Sequence, residues 1–217
     1  MVEGLRILFE DERLLVVDKP AGRLVIAGRG AQDEEPLLEQ AAREGGCKLF
    51  VVHRLDRETS GALLFAKDAA THARVCALFE RHGVEKVYWA LAQGRLAGPR
   101  LMDQPLAAFG SGRWGVKPGG KPSRTELRPL ECFGERAAWV EARPQTGRRH
   151  QVRVHLYAAG HPVLGDRLYG KPGEWSRRAP RLMLHAARVA FRLGGRRFEA
   201  AAPLPADFDA LMDELRA

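Results

Sequence analysis

At 217 residues the chain is long enough for one sizeable core or two small ones, and 45% hydrophobic with 29% charged residues excludes a chain too polar to fold. Cys47, Cys76 and Cys132 match no CxxC or Cys/His ligand spacing, which sets aside a disulfide framework and a zinc site and fits a reducing cytoplasm. The net charge of +8 is unevenly spread: residues 143–197 hold twelve arginines and one lysine against two acids, while both termini are net acidic, so a polyanionic partner is expected.

The opening Met1-Val2-Glu3-Gly4 lacks a basic run followed by an apolar stretch. No segment approaches the roughly 18 apolar residues of a membrane span. The expectation is a cytoplasmic protein with no membrane partner. Leu5 to Phe9 and Leu14 to Val17 flank the acidic turn Glu10-Asp11-Glu12 and read as a hairpin, which Lys19-Pro20-Ala21-Gly22 interrupts. Residues 28–48 are rich in Gly and charge around a short helix, Leu37 to Arg43. Phe50-Val51-Val52 and Gly61 to Ala66 look like buried strand pieces bracketing a polar loop, His53 to Ser60, where chemistry would be displayed.

Ala69 to His82 fits a helix with Val75, Leu78 and Phe79 on one face and Gly83 as its stop. Lys86 to Leu91 supplies a strand. Gly94 to Pro122 is a long Gly/Pro/Arg-rich excursion with hairpins but no sustained periodicity. Arg124 to Cys132 and Ala137 to Ala142 alternate as strands. Pro144 to Gly147 forms a loop into a helix, Arg148 to Ala159, with Val152, Leu156 and Ala159 facing the core. From Leu182 to Leu193 the alternation of Val189/Phe191/Leu193 against Arg188/Ala190/Arg192 gives a strand with one wet face, turning at Gly194-Gly195 into Arg197 to Ala201. Pro205 starts a last helix with a Phe208/Leu211/Met212/Leu215 stripe. This order predicts an α+β fold with a mixed, largely antiparallel β-sheet core and flanking helices, in a single domain over 1–217, since no linker divides the chain.

The densest polar cluster in an apolar setting is His53-Arg54-Leu55-Asp56-Arg57-Glu58-Thr59-Ser60-Gly61. A carboxylate between arginines is stabilised as the anion, and the same surroundings suit phosphate; an Asp/Thr/Ser loop bonding its own backbone fits equally. HRLDRETSG resembles the signature loop of the RluA-type pseudouridine synthases. ILFEDERLLVVDKPA from Ile7, the K-x-Y-x-A of Lys86 to Ala90, TGRRHQVRVHLYAAGHPVLGDRLYG from Thr146, and Leu184-His185-Ala186 are similar to further blocks of that family, in its order. The resemblance implies an RNA pseudouridine synthase, an isomerase acting on uridine in tRNA or large-subunit rRNA. It implies Asp56 as the catalytic carboxylate, Tyr88 as the aromatic platform for the uracil and Arg148 as the partner of Asp56. Arg54 is implied to fill the duplex space of a flipped nucleotide, and Arg57, Arg149, His150 and Arg153 to face RNA. Attack at C1′, addition at C6 and removal of a sugar proton all remain compatible with these residues.

No cofactor is expected, because the reaction is an isomerisation. His150 and His155 stand about 140° apart around a helix and do not converge as metal ligands. Gly115 to Lys121 is a near miss to a P-loop in which Pro122 stands where Ser or Thr is needed, so no nucleotide cofactor is expected either. Many relatives of the resembling family carry an S4-type RNA-binding module before the catalytic domain; here the first residues already resemble the first catalytic strand, so the expectation is a catalytic domain without that module. Arg192 to Gly195 and Arg23 to Val25 depart from the family's usual turns, away from the implied catalytic residues. A monomer is expected. The rival class is a non-catalytic RNA-binding or ribosome-assembly factor on the same fold, which would be expected to have lost Asp56, Tyr88 or Arg148.

Overall fold

The computed structural model describes residues 4–27, 35–110 and 112–217. Of the glycine- and charge-rich stretch expected over 28–48, residues 28–34 lie outside them. In chain order the elements are β1 (Ile7–Glu10), β2 (Leu14–Lys19), α1 (Leu37–Glu44), β3 (Phe50–Val51), β4 (Ser60–Ala66), α2 (Ala69–Glu80) and β5 (Val84–Gln93). There follow β6 (Arg100–Asp103), β7 (Leu106–Gly110), β8 (Arg113–Val116), β9 (Arg124–Phe133) and β10 (Ala137–Pro144). The chain ends with α3 (Gln151–Ala158), α4 (Glu174–Arg178), β11 (Leu184–Leu193), β12 (Arg196–Ala201) and α5 (Ala206–Arg216). Every strand pairing described is antiparallel, so the α+β, antiparallel expectation holds.

The chain forms two compact units, one from the residues up to Glu85 with Ala186–Pro203, the other from Lys86–His185 with Leu204–Ala217. Two of their three boundaries fall inside β5 and β11, and the third in the short connection between β12 and α5, so no long linker composition marks them in the sequence.

In the first unit the strands run β1-β2-β4-β11, with β12 on β11 and β3 on β4. All seven residues of β4 are buried, and Leu14, Val16, Leu64, Val75 and Phe191 form the core beneath α2. Gly61 has φ +109°, and a Cβ there would lie 2.3 Å from the Ala186 carbonyl oxygen. Only glycine lets β4 and β11 approach this closely. Helix α2 starts at Asp68, whose carboxylate accepts from the Thr71 N–H at 2.8 Å. It stops two residues before the expected His82, because His82 itself turns left-handed at φ 59°. The His82 N–H bonds to Phe79 O and the Gly83 N–H to Leu78 O, a Schellman closure with histidine where glycine usually sits.

In the second unit the order is β5-β10-β9-β6, with β7 and β8 as a separate hairpin. The expected C-terminal stripe is buried, Phe208, Leu211, Met212 and Leu215 lying within one cluster with Leu91, Val140 and Leu156. Helix α3 begins at Gln151, not at Arg148, because His150 takes a left-handed conformation at φ 57°. All of Gln151 to Leu156 is buried, so α3 is a core helix and not the one-faced helix that Val152, Leu156 and Ala159 suggest. β11 is wet only toward its end, where Arg192 is exposed; Ala190 is fully covered.

Candidate active site

In the first unit, Arg54, Asp56 and Arg57 share the loop from Val52 to Thr59, which leaves β3 and enters β4. Asp56 is partly exposed and Arg54 and Arg57 are exposed. The Thr59 N–H bonds to Asp56 O at 3.1 Å, closing a turn with Asp56 at its head. Lys19, at the end of β2, is fully buried, and its ammonium donates to Pro20 O at 2.9 Å, Arg57 O at 2.8 Å and Thr59 O at 2.9 Å. All three of its protons are therefore spent, two of them on the Asp56 turn. Arg57 and Gly22 exchange two bonds, Arg57 Nε to Gly22 O at 2.7 Å and Gly22 N–H to Arg57 O at 2.9 Å. The turn is thus tied to the Lys19–Gly22 segment by four bonds, and a positive charge is fixed under it. Behind the loop, His53 accepts the Leu64 N–H on Nε2 at 3.1 Å and stacks on Phe79.

In the second unit, Tyr88 is a partly exposed residue of β5, opposite Ala142 of β10. Lys86 lies two residues earlier and so on the same face of the strand. Its ammonium donates to Thr146 O at 2.8 Å. That bond ties β5 to the turn carrying Arg148, Arg149 and His150. Burial, and then the charge of Arg148, bring Lys86 down to about 8. The turn is fixed from below by Gln151, whose side-chain oxygen accepts the Arg148 N–H at 2.9 Å and the Thr146 hydroxyl at 2.7 Å. Its amide donates to Arg124 O and Thr125 Oγ1. Arg148 is partly exposed and donates through Nε to Pro122 O, and Arg149 is exposed. His150 meets Tyr169 Oη through Nδ1 at 2.7 Å.

One expectation is corrected. Arg153 does not face RNA: it is 8% exposed and forms a two-bond pair with Asp166, Nε to Oδ2 at 2.7 Å and Nη2 to Oδ1 at 2.9 Å, with its guanidinium over the Tyr169 ring. The arginine-rich stretch is likewise less free than its count. Arg143, Arg153, Arg178, Arg181, Arg188 and Arg197 all pair with carboxylates, most of them from outside 143–197.

Sequence reasoning missed Lys19, Lys86 and Gln151 as site-forming residues. For Lys19 a signal existed, a lysine closing the apolar strand Leu14 to Asp18. For Lys86 and Gln151 the only signal was membership in the resembling blocks. Among the described residues no group of three or more His, Cys, Asp or Glu could hold a metal ion.

Residues 13–158 match the family model described as RNA pseudouridylate synthase. The chain is 34% identical to the ribosomal large subunit pseudouridine synthase D of Nitrosomonas europaea, over 98% of this chain and 65% of that protein. It is 37% identical to the ribosomal large subunit pseudouridine synthase C of Vibrio cholerae, over 97% of this chain and 69% of that protein. To the dual-specificity RNA pseudouridine synthase RluA of Escherichia coli it is 36% identical, over 84% of each chain. Its fold superposes on human RNA pseudouridylate synthase domain containing 1 with a TM-score of 0.82 at 28% identity, covering 100% of this chain and 96% of that one.

Proposed function

This chain belongs to the RNA pseudouridylate synthase family, and we propose that it converts uridine to pseudouridine in folded RNA with Asp56 as the essential carboxylate. The observation that carries this reading is the Asp56 turn, held by the buried Lys19 ammonium through the Arg57 and Thr59 carbonyls. A carboxylate on a pinned turn beside two exposed arginines is pre-set for an anionic substrate. A surface loop bonding only its own backbone would need no buried cation beneath it.

The reaction breaks the N1–C1′ bond, turns the uracil and joins C5 to C1′. The C5 hydrogen leaves as a proton and N1 ends with one, so product and substrate are isomers and nothing is oxidised or reduced. Asp56 acts on the nucleoside, Tyr88 stacks on the base while it turns, and Arg148 neutralises and aims the carboxylate. A uridine in a helix must leave its stack first, and Arg54 is the side chain assigned to fill the gap. The names of two relatives, ribosomal large subunit pseudouridine synthases D and C, support large-subunit ribosomal RNA as substrate; transfer RNA as an alternative substrate, a cytoplasmic location, a monomeric state and turnover without cofactor belong to the same proposal.

The test is Asp56→Ala and Asp56→Asn in the full chain. Pseudouridine formation should fall by at least about 10³-fold in both variants, with RNA affinity little changed. Turnover surviving in Asp56→Ala would defeat the reading. Mapping pseudouridines in cells lacking the protein against their parent identifies the target.

A further inference from the structure

We infer that His155 is a positioning residue for Arg148, acting through the side chains of Thr125 and Gln151 to hold the Arg148 backbone in place. The inference rests on the role proposed above for Arg148 and adds the buried residues that keep it aimed.

All the groups involved lie in the second unit. His155 on α3 and Thr125 on β9 are fully buried, and Gln151 at the start of α3 is buried. His155 Nε2 lies 3.2 Å from Gln104 O, and Nδ1 lies 2.8 Å from Thr125 Oγ1. Gln151 Nε2 donates to Thr125 Oγ1 and to Arg124 O, both at 2.9 Å. Gln151 Oε1 accepts the Arg148 N–H at 2.9 Å and the Thr146 hydroxyl at 2.7 Å. Four bonds in series thus run from the Gln104 carbonyl to the Arg148 amide.

Backbone groups fix the polarity of this series at both ends. Gln104 O can only accept, so His155 Nε2 carries the proton; burial keeps the imidazole neutral, which leaves a lone pair on Nδ1. At the other end the Arg148 N–H can only donate and Arg124 O can only accept, so the Gln151 amide has one orientation. Turned over, it would set donor against donor and acceptor against acceptor. Thr125 stands between the two. Its oxygen takes a hydrogen from Gln151, and its single hydrogen goes to His155 Nδ1. With that acceptor gone, a buried hydroxyl must turn to find another, and turning withdraws the lone pair that holds the Gln151 amide beneath Arg148.

Asparagine and glutamine separate the two imidazole nitrogens. The Asn oxygen branches from Cγ, as Nδ1 does, and the Gln nitrogen from Cδ, as Nε2 does. His155→Asn therefore keeps the bond to Thr125 and gives up the one to Gln104 O, and His155→Gln does the reverse. Each forfeits one buried bond, so a role in packing alone would make the two variants alike. The experiment measures pseudouridine formation by the full chain over a concentration series of an unmodified large-subunit ribosomal RNA transcript, with amide hydrogen exchange alongside. His155→Gln should lower kcat by roughly 10–100-fold at unchanged KM and quicken exchange of the Arg148 N–H. His155→Asn should keep most of the wild-type kcat and the wild-type exchange. Thr125→Val, which keeps the shape and removes the hydroxyl, should repeat His155→Gln, and Thr125→Ser should behave as wild type. Equal loss in the Asn and Gln variants, or wild-type kcat in His155→Gln and Thr125→Val, would overturn the inference. RNA binding without pseudouridine formation by the wild type would defeat the enzymatic reading, and exchange at Arg148 in the same four variants would still decide whether His155 holds it.

Discussion

Arg153 and Asp166 meet through two bonds of 2.7 and 2.9 Å inside the second unit, where the Asp166 side chain has no exposed surface. Burial alone would push the Asp166 carboxyl up. The Arg153 bonds and charge and the Tyr169 and Leu168 N–H groups outweigh it and hold the carboxyl below its ordinary value. The pair's contribution is therefore present at neutral pH and lost as pH falls below about 4. Arg153→Met should cost roughly 3–5 kcal/mol by leaving a buried carboxylate unanswered. Denaturant unfolding at pH 7 measures the loss, and a variant as stable as the wild type would reject it. The slope of RNA affinity against salt should stay as it is in whatever variant still folds.

Lys19 converges on the carbonyls of Pro20, Arg57 and Thr59, and methionine fills its space without a donor. Lys19→Met should lose roughly 2–4 kcal/mol and release the Asp56 turn. Hydrogen exchange at the Thr59 and Gly22 amides should quicken more than at the β4 amides. Lys19→Arg should not rescue, because a planar guanidinium cannot reach three carbonyls arranged around one nitrogen. Unchanged protection at Thr59 and Gly22 would show that the turn is held by something else.

What the sequence disclosed and what it withheld divide along the range of the interactions. Local patterns were legible: the 14–17 run, the Phe208/Leu211/Met212/Leu215 stripe and the strands around the 53–60 loop stand where periodicity puts them. The ends of α2 and α3 were misjudged because His82 and His150 adopt left-handed backbone, which residue type alone does not announce. Arg153 looked like surface because its partner is thirteen positions away, and Lys86 looked ordinary because its acceptor lies sixty positions on. Net charge by segment overstated the basic face for the same reason, since Glu85, Glu199 and Asp207 neutralise Arg188, Arg197 and Arg181 from elsewhere in the chain.

That neutralisation separates two kinds of arginine. Arg149 is exposed at the turn before α3, while Arg188 is bound to Glu85 and Glu199. Arg149→Glu should weaken RNA binding and reduce the salt slope by about one or more. Arg188→Glu should leave that slope alone and lower stability instead. Filter binding across a salt series checks both, and equal flattening by the two substitutions would show that the ion pairs open to RNA.

The Schellman closure of α2 places a histidine at a left-handed position where glycine carries no steric penalty. His82→Gly should therefore stabilise the chain, by roughly 0.5–1 kcal/mol, with His82→Asn in between. The ring makes no described contact that the substitution would forfeit. A fall in the unfolding midpoint of His82→Gly would mean that the histidine side chain contributes more than its backbone costs.

Lys86 gives the folded chain a pH dependence of unusual sign. Its ammonium titrates at about 8 in the folded state against 10.5 for an ordinary lysine, so between those values the unfolded chain binds more protons. Stability from this residue accordingly rises with pH across that window, and below it the charged ammonium exacts its full cost in the sheltered position. The shift caps that cost at roughly 3 kcal/mol, less where water still reaches the amine. Lys86→Met removes the charge and the bond to Thr146 O together, and the lost bond does not depend on pH. The stability of Lys86→Met relative to wild type should therefore be greatest near pH 7 and decline toward pH 10. Urea unfolding of both proteins at four pH values across this range supplies the difference, and a gap that stays constant would mean that the folded ammonium titrates like a solvent-exposed one.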